Sequence, residues 1–387
     1  MKKILFDLLS SQPIGSSKYH GGGEYIKTIF GKMVEEYSDK IEIIPFYNNE
    51  KFIDDWIIAL IRSKKLKCYT IKSQEEIKEV ASQTDPDIFF SGLPAKYSRN
   101  WFPKSTKIIG TIHGLRKIEK PHDEYEYKYN DGITNLKTKF KLTKWKIVGN
   151  SEKYRNKFIV EQKKVIDFLD EIICVSEHTK YALKYYYSGI KNKTVKMFYS
   201  PKKSVDLNDT PLSEEVVSGE YILLLGGDRW LKNPYRALKA IDSLYDKDYL
   251  NGIKTVVVGK TSQCIRKEMK NNENYIWLEY VDSNVLEDLY KNCSVFVYPT
   301  LNEGFGYPPL EAMHYNRTCV VSAVCSLQEI CGDAVYYVNP YDTEEIANRI
   351  LRASDIKIDE NKVREQYEKI SRKQDMDLNE LCEFILK

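Results

Sequence analysis

No run in this 387-residue chain approaches eighteen consecutive apolar residues, and the densest short one, Trp56–Ile61, is far too brief to span a bilayer. A secretory leader pattern is missing too. The N-terminus enters a strand-like run, Lys3–Leu9, without an apolar h-region and small-residue cleavage site, so secretion is not expected. The eight cysteines are scattered, with Cys174, Cys293 and Cys319 inside apolar runs. That spacing excludes a disulfide scaffold and fits buried thiols in a reducing cytoplasm. Net charge is only +3, and the 42% hydrophobic and 30% charged fractions exclude a disordered or fibrous chain. The length suits two domains, each able to bury a core.

What charge there is lies unevenly. Residues 1–200 hold 36 Lys and Arg against 25 Asp and Glu, and the remainder reverses the sign. The asymmetry points the first half toward an anionic surface. Lys137–Lys164 concentrates it, with ten basic and two acidic residues interleaved by Phe140, Trp145 and Phe158. No nucleic-acid-binding module accompanies these residues. A peripheral contact with anionic membrane is the expected use, and nucleic acid is not expected as a partner.

Strand-like runs alternate with helical periodicity throughout, which predicts α/β architecture with largely parallel sheets. Lys3–Leu9, Ile41–Phe46, Asp87–Ser91, Lys107–His113, Glu171–Val175 and Thr194–Phe198 read as strands of one sheet. Tyr221–Leu225, Lys254–Val258, Tyr275–Leu278, Ser294–Tyr298, Cys319–Ser322 and Ala334–Val338 read as strands of a second. The expected division is a domain over 1–200, a polar linker over 201–218, a second domain over 219–362, and a helical tail over 363–387 returning to the first. Two doubly wound sheets of this kind bind ligands beyond the carboxyl ends of their strands.

The chemistry-bearing residues fall after strands. Beyond Tyr298 comes a loop with Glu303, Gly304 and Gly306, followed by Pro308 and Pro309 opening a helix that carries Glu311 in its first turn. A helix N-terminus there offers free amides and a positive dipole to phosphate. Beyond Leu225, Gly226 and Gly227 allow a sharp exit from the strand, and Arg229 and Lys232 lie on the turn before Pro234. Two cations at that place can neutralise a diphosphate leaving group. After the first strand, Gly21, Gly22 and Gly23 form a glycine-rich turn before a helix, and His113 ends another strand beside Gly114. Asp85-Pro-Asp87 reads as a turn rather than a metal motif. Cys319, Cys325 and Cys331 lack the close pairing of a zinc site. No metal is expected.

Glu303 and Glu311 enclose seven residues in the string E-G-F-G-Y-P-P-L-E-A-M. It resembles the E-x7-E signature of the retaining, nucleotide-sugar-dependent glycosyltransferases of family four, which have the GT-B fold of two Rossmann-like domains facing a central cleft. Weaker resemblance covers nearly the whole chain. The resemblance implies that Glu303 lies against the donor sugar, that Glu311 binds ribose hydroxyls, and that backbone around Phe305, Gly306 and Tyr307 meets sugar and diphosphate. It further implies that Arg229 and Lys232 meet the diphosphate, on a turn shorter than the family often has. Gly22 and Gly23 would approach donor and acceptor, His113 would hydrogen-bond the transferred sugar, and backbone near Val281 would meet the base. The function so implied is retaining sugar transfer from a nucleoside diphosphate donor to a saccharide or lipid-linked acceptor, in surface polysaccharide or glycoconjugate synthesis, without cofactor or metal. A non-catalytic, glycan-binding relative of such enzymes and a nucleotide-sugar epimerase on the same scaffold remain the alternatives.

Overall fold

The structure, a computed structural model, describes residues 1–13, 20–95, 97–148, 151–201 and 217–387. Its first elements are β1 (Lys2–Asp7), α1 (Gly21–Tyr37), β2 (Ile41–Tyr47), α2 (Asp55–Ser63), β3 (Tyr69–Thr70), α3 (Ile77–Thr84), β4 (Ile88–Ser91) and β5 (Lys107–Ile112). Three helices follow, α4 (Arg116–Glu119), α5 (Gly132–Val148) and α6 (Ser151–Phe168). Next come β6 (Glu171–Cys174), α7 (Glu177–Tyr186) and β7 (Thr194–Met197). The second series is β8 (Tyr221–Leu225), α8 (Pro234–Tyr245), β9 (Lys254–Val258), α9 (Gln263–Arg266), β10 (Tyr275–Leu278), α10 (Ser283–Asn292) and β11 (Val295–Tyr298). It ends with α11 (Tyr307–His314), β12 (Thr318–Ser322), α12 (Leu327–Cys331), β13 (Tyr336–Val338), α13 (Thr343–Asp355) and α14 (Glu360–Leu386).

The strands form two sheets, ordered β3-β2-β1-β4-β5-β6-β7 and β10-β9-β8-β11-β12-β13, and every neighbouring pair is parallel. The second order is the Rossmann 3-2-1-4-5-6, and the first adds one strand to it. In both sheets the strand order therefore reverses between the first and fourth strands, β1 beside β4 and β8 beside β11. The strands are apolar on both faces because helices cover both. Ile222, Leu224, Val295 and Val297 pack with Ala237, Leu238 and Ile241 of α8, while Leu223, Val256 and Phe296 pack with Tyr290, Ala312 and Met313 on the other face. Each fully buried aliphatic side chain contributes about 1.5–3 kcal/mol.

The chain divides into two compact units, 1–115 with 158–206 and 371–387, and 116–157 with 207–370. This division differs from the expected 1–200 domain, because 116–157 packs with the second sheet. The reason is polar. Asp123 binds Arg236 of α8 through both carboxylate oxygens, at 3.0 and 3.2 Å. The Tyr235 amide donates to Tyr129 Oη at 3.0 Å, and Ser262 Oγ donates to Lys128 O at 2.5 Å. Asp131 accepts from the Gln263 and Cys264 amides at the start of α9. The tail departs from expectation less: residues 371–387 of α14 lie with the first unit, where Asp377 accepts from the Tyr199 amide at 2.7 Å and Gln374 donates to Ser200 O at 2.6 Å. Most of the 201–218 linker and residues 14–19 lie outside the described residues.

The described residues of the basic segment lie in α5 and most of α6. α5 carries Lys137, Lys139, Lys141, Lys144 and Lys146 and no acidic residue. Ile133, Leu136 and Phe140, spaced along one side, are 71%, 66% and 74% exposed. Trp145 instead packs on Tyr154 and His122, with Lys141 over its ring. Among the described residues, no helix is long and apolar enough to cross a membrane. All eight cysteines are free thiols, and Cys319 and Cys331 are buried. Asp85 caps α3 through its backbone in a left-handed conformation, and the Asp87 carboxylate accepts from the Lys3 amide at 2.8 Å.

Candidate functional site

The second unit assembles its polar groups at the β8–β11 reversal. β8 ends at Leu225, and Gly226 follows at φ +80°, where a Cβ would meet the Lys232 side chain at 2.8 Å. Only glycine combines that conformation with that approach. The chain then turns through Arg229 and Trp230–Lys232 to Asn233, a left-handed residue that fixes the turn by donating to Pro299 O and Pro340 O at 3.0 and 2.7 Å. Arg229 remains exposed at the turn. Lys232 is folded inward and buried.

From β11, Glu303 reaches the same place. Lys232 Nζ lies 2.5 Å from Glu303 Oε2, and Tyr298 Oη donates to that oxygen at 2.7 Å. The lysine also meets the Tyr298 hydroxyl. Burial raises the Glu303 carboxyl, but Lys232, Arg116 and the two hydrogen bonds outweigh it and bring it down to about 2. Burial is also the largest influence on Lys232. Glu303 opposes it, the nearby charges of Arg229 and Arg116 reinforce it, and the ammonium falls to about 8. Burial and the Glu303 carboxylate push Tyr298 well above the usual phenol range, so it stays a neutral donor. The cluster is an ionised carboxylate held by a lysine and a tyrosine, with two arginine charges close by.

The loop after Glu303 is fastened by its backbone. Ser326 Oγ donates to Glu303 O at 3.2 Å and Phe305 O at 2.7 Å. Gly306 sits at φ +119° as the N-cap of α11, where a Cβ would meet Leu327 at 2.9 Å. Pro308 and Pro309 occupy the helix start as the sequence suggests. Glu311 differs from expectation: α11 opens at Tyr307, so Glu311 is its fifth residue and stands in the second turn. Its carboxylate raises the phenol of Tyr290, which burial already pushes up. Phe305 is buried and its ring meets Tyr307 at 5.3 Å, leaving backbone as the part of this stretch suited to a ligand. Val281 follows β10 and is half-buried against the core.

The first unit repeats the arrangement more simply. Gly22 and Gly23 belong to the first turn of α1 rather than to a turn preceding it, because His20 caps the helix. Its Nδ1 accepts from the Gly23 amide at 2.9 Å, and its Nε2 donates to Gln12 O at 3.2 Å. Burial lowers His20 below the ordinary imidazole value. His113 follows β5 and donates from Nε2 to Gly92 O at 2.9 Å, which fixes its tautomer. Its ring stands edge-on to Tyr25 at 4.8 Å. Beneath them, the buried Asp7 carboxylate accepts from Ser10 Oγ and Ser91 Oγ at 2.5 and 2.6 Å, tying the end of β1 to the end of β4. Burial raises Asp7 above the usual carboxylate range.

Sequence reasoning placed Glu303 after one strand and Arg229 and Lys232 after another, and the structure sets those strands side by side and brings Glu303 and Lys232 together, with the Arg229 charge close by. It overlooked Tyr298, Arg116 and Asp7. Tyr298 and Asp7 each end a strand at a reversal, and that position was the available signal. Arg116 had none, because its neighbourhood depends on the packing of 116–157.

Residues 213–374 match the family model of the glycosyl transferases group 1. Over 151 residues the chain is 31% identical to the O-antigen chain mannosyltransferase RfbU of Salmonella typhimurium, a match covering 37% of this chain and 42% of that protein. The matched stretch thus spans less than half of that relative. Among solved structures, sucrose-phosphate synthase of Thermosynechococcus elongatus aligns with a TM-score of 0.66 at 13% identity, covering 99% of this chain and 98% of that one. The Anabaena protein HepE, solved with UDP and glucose, aligns with a TM-score of 0.60 at 14% identity, covering 100% and 99%. At such identities these likenesses speak for the fold. The chain thus has the GT-B fold of two Rossmann-like sheets, and its match to the glycosyl transferases group 1 lies in residues 213–374.

Proposed function

We propose that this protein transfers a sugar from a nucleoside diphosphate sugar to a saccharide or lipid-linked acceptor, with retention at the anomeric carbon, in surface polysaccharide synthesis. The observation that carries the reading is the Lys232–Glu303–Tyr298 cluster at the β8–β11 reversal, one short loop before α11 and Glu311. Cations at the turn meet the diphosphate, Glu311 the ribose, Glu303 the donor sugar, and backbone of Phe305, Gly306 and Tyr307 the sugar and diphosphate. In the first unit, Gly22, Gly23 and His113 serve donor sugar and acceptor. The base rests near Val281.

The electrostatics favour front-face displacement. A carboxylate held at about 2 by a lysine and a tyrosine is a weak base and a weak nucleophile. The acceptor's proton therefore passes to the departing diphosphate, while Glu303 orients donor hydroxyls. Arg229 and Lys232 supply charge where the leaving group develops it, so no divalent metal is required. The eight free thiols support a cytoplasmic setting. The acid-free α5, with its exposed Ile133, Leu136 and Phe140, supports reversible docking on anionic lipid.

The test is donor hydrolysis across a nucleotide-sugar panel. Mannose donors come first, because RfbU is named a mannosyltransferase, and UDP-glucose next. The best donor is then offered to lipid-linked acceptors. No hydrolysis and no thermal stabilisation by any nucleotide would leave a non-catalytic scaffold as the better account. Release of an epimerised donor without transfer would favour an epimerase.

A further inference from the structure

α4 is seated on the Glu303 loop by side chains of its own unit. Glu119 Oε2 accepts from Asn302 Nδ2 at 3.0 Å, and Asn302 is buried and immediately precedes Glu303. Just beyond α4, Asp123 clasps the buried Arg236, whose guanidinium also lies over Tyr125 at 4.5 Å. The C-terminal end of the short helix is thus pinned. Residues three apart on a helical turn share a face, so Arg116 stands on the side that Glu119 turns toward Asn302. Its guanidinium is exposed and makes no hydrogen bond or ion pair among the described residues. Its charge still bears on Lys232, Tyr298 and Glu303.

An arginine held beside the Glu303 loop by the Glu119–Asn302 contact, yet unpaired with that carboxylate, is not needed to neutralise it; Lys232 and Tyr298 already do so. The charges point elsewhere. Glu303 compensates Lys232, leaving Arg229 as one uncompensated cation, whereas the diphosphate of a nucleotide sugar carries two negative charges. Arg116 supplies the second, in a planar fork of donors suited to phosphate oxygens.

We propose that Arg116 is a phosphate-binding residue of this site and, with Arg229, grips the diphosphate of the ligand. The inference rests on the reading of the site as one for nucleoside diphosphate sugars. The test is calorimetry on the full chain with GDP, UDP, their monophosphates and the two nucleosides, comparing wild type with Arg116→Gln and Arg116→Lys. Arg116→Gln should weaken the preferred diphosphate on the order of 10- to 100-fold. The nucleoside should be unaffected, and Arg116→Lys should recover part of the loss. Lys137→Gln, on the exposed side of α5, controls for general charge and should bind as wild type does. Equal affinity in wild type and Arg116→Gln overturns the inference alone. So does an equal loss for nucleoside and diphosphate, which would mark Arg116 as a structural support. If wild type binds none of these ligands, the reading of the site fails and the inference with it.

Discussion

The lowered lysine gives the site a pH signature. In the ligand-free protein, burial and the charges of Arg229 and Arg116 bring Lys232 down to about 8 despite Glu303. A bound diphosphate favours the ammonium and raises that value. Above about 8, binding therefore takes up a proton, and affinity falls as pH rises; below about 7, Lys232 is protonated in both states and contributes no dependence. Each unit above 8 costs about 1.4 kcal/mol, a factor of roughly ten, so the nucleoside diphosphate should bind on the order of 30-fold more weakly at pH 9.5 than at pH 7. The ligand's terminal phosphate ionises near about 6 and stays fully charged across this range. Calorimetry in two buffers of different ionisation enthalpy measures affinity and proton uptake together. Glu303→Gln removes the group that holds Lys232 up, so the midpoint should move below its wild-type position. Affinity that stays flat to pH 9.5 without proton uptake, or a midpoint that moves up in Glu303→Gln, would refute the reasoning.

Other consequences are open to measurement. Glu311→Ala should weaken nucleotide binding by about 1.5–3 kcal/mol, the value of hydrogen bonds to a charged group, whereas Glu303→Gln should lower turnover more than nucleotide affinity at neutral pH; calorimetry paired with turnover assays separates them. Transfer should persist in EDTA, and activity that vanished there and returned with manganese would show that a metal is used. Asp123→Ala leaves the buried guanidinium of Arg236 with only the exposed Glu124 and Asn233 Oδ1, and should destabilise the second unit by up to about 3 kcal/mol in urea unfolding, with Asp123→Ala/Arg236→Met less affected than the single variant. Charge reversal of Lys139, Lys141 and Lys144 should release the protein from anionic vesicles in low-salt sedimentation while donor hydrolysis persists, since each cation near such a surface contributes about 1 kcal/mol.

The strands β8 and β11 and the prolines and glutamates around α11 were legible in the chain because they depend on short-range properties. A strand covered on both faces must read as a continuous apolar run, as Tyr221–Leu225 and Val295–Tyr298 do. A helix opening beneath Pro308 and Pro309 announces itself by residues that tolerate no earlier helical turn. Ser176 caps α7 by the same kind of local contact, its hydroxyl accepting from the Thr179 amide at 3.2 Å. Tertiary packing alone decided the pairing of Lys232 with Glu303, 71 residues apart, and with it the low carboxyl and lowered ammonium. Periodicity carries no information about which cation a buried carboxylate meets across a strand reversal. The allegiance of residues 116–157 was equally hidden. It rests on Asp123 meeting Arg236 over a separation of 113 residues, and on Tyr129 Oη, Lys128 O and the Asp131 carboxylate accepting from the Tyr235 amide, Ser262 Oγ and the Gln263 amide. Composition placed the basic stretch with its sequence neighbours; hydrogen bonds and a desolvated ion pair placed it with the second sheet.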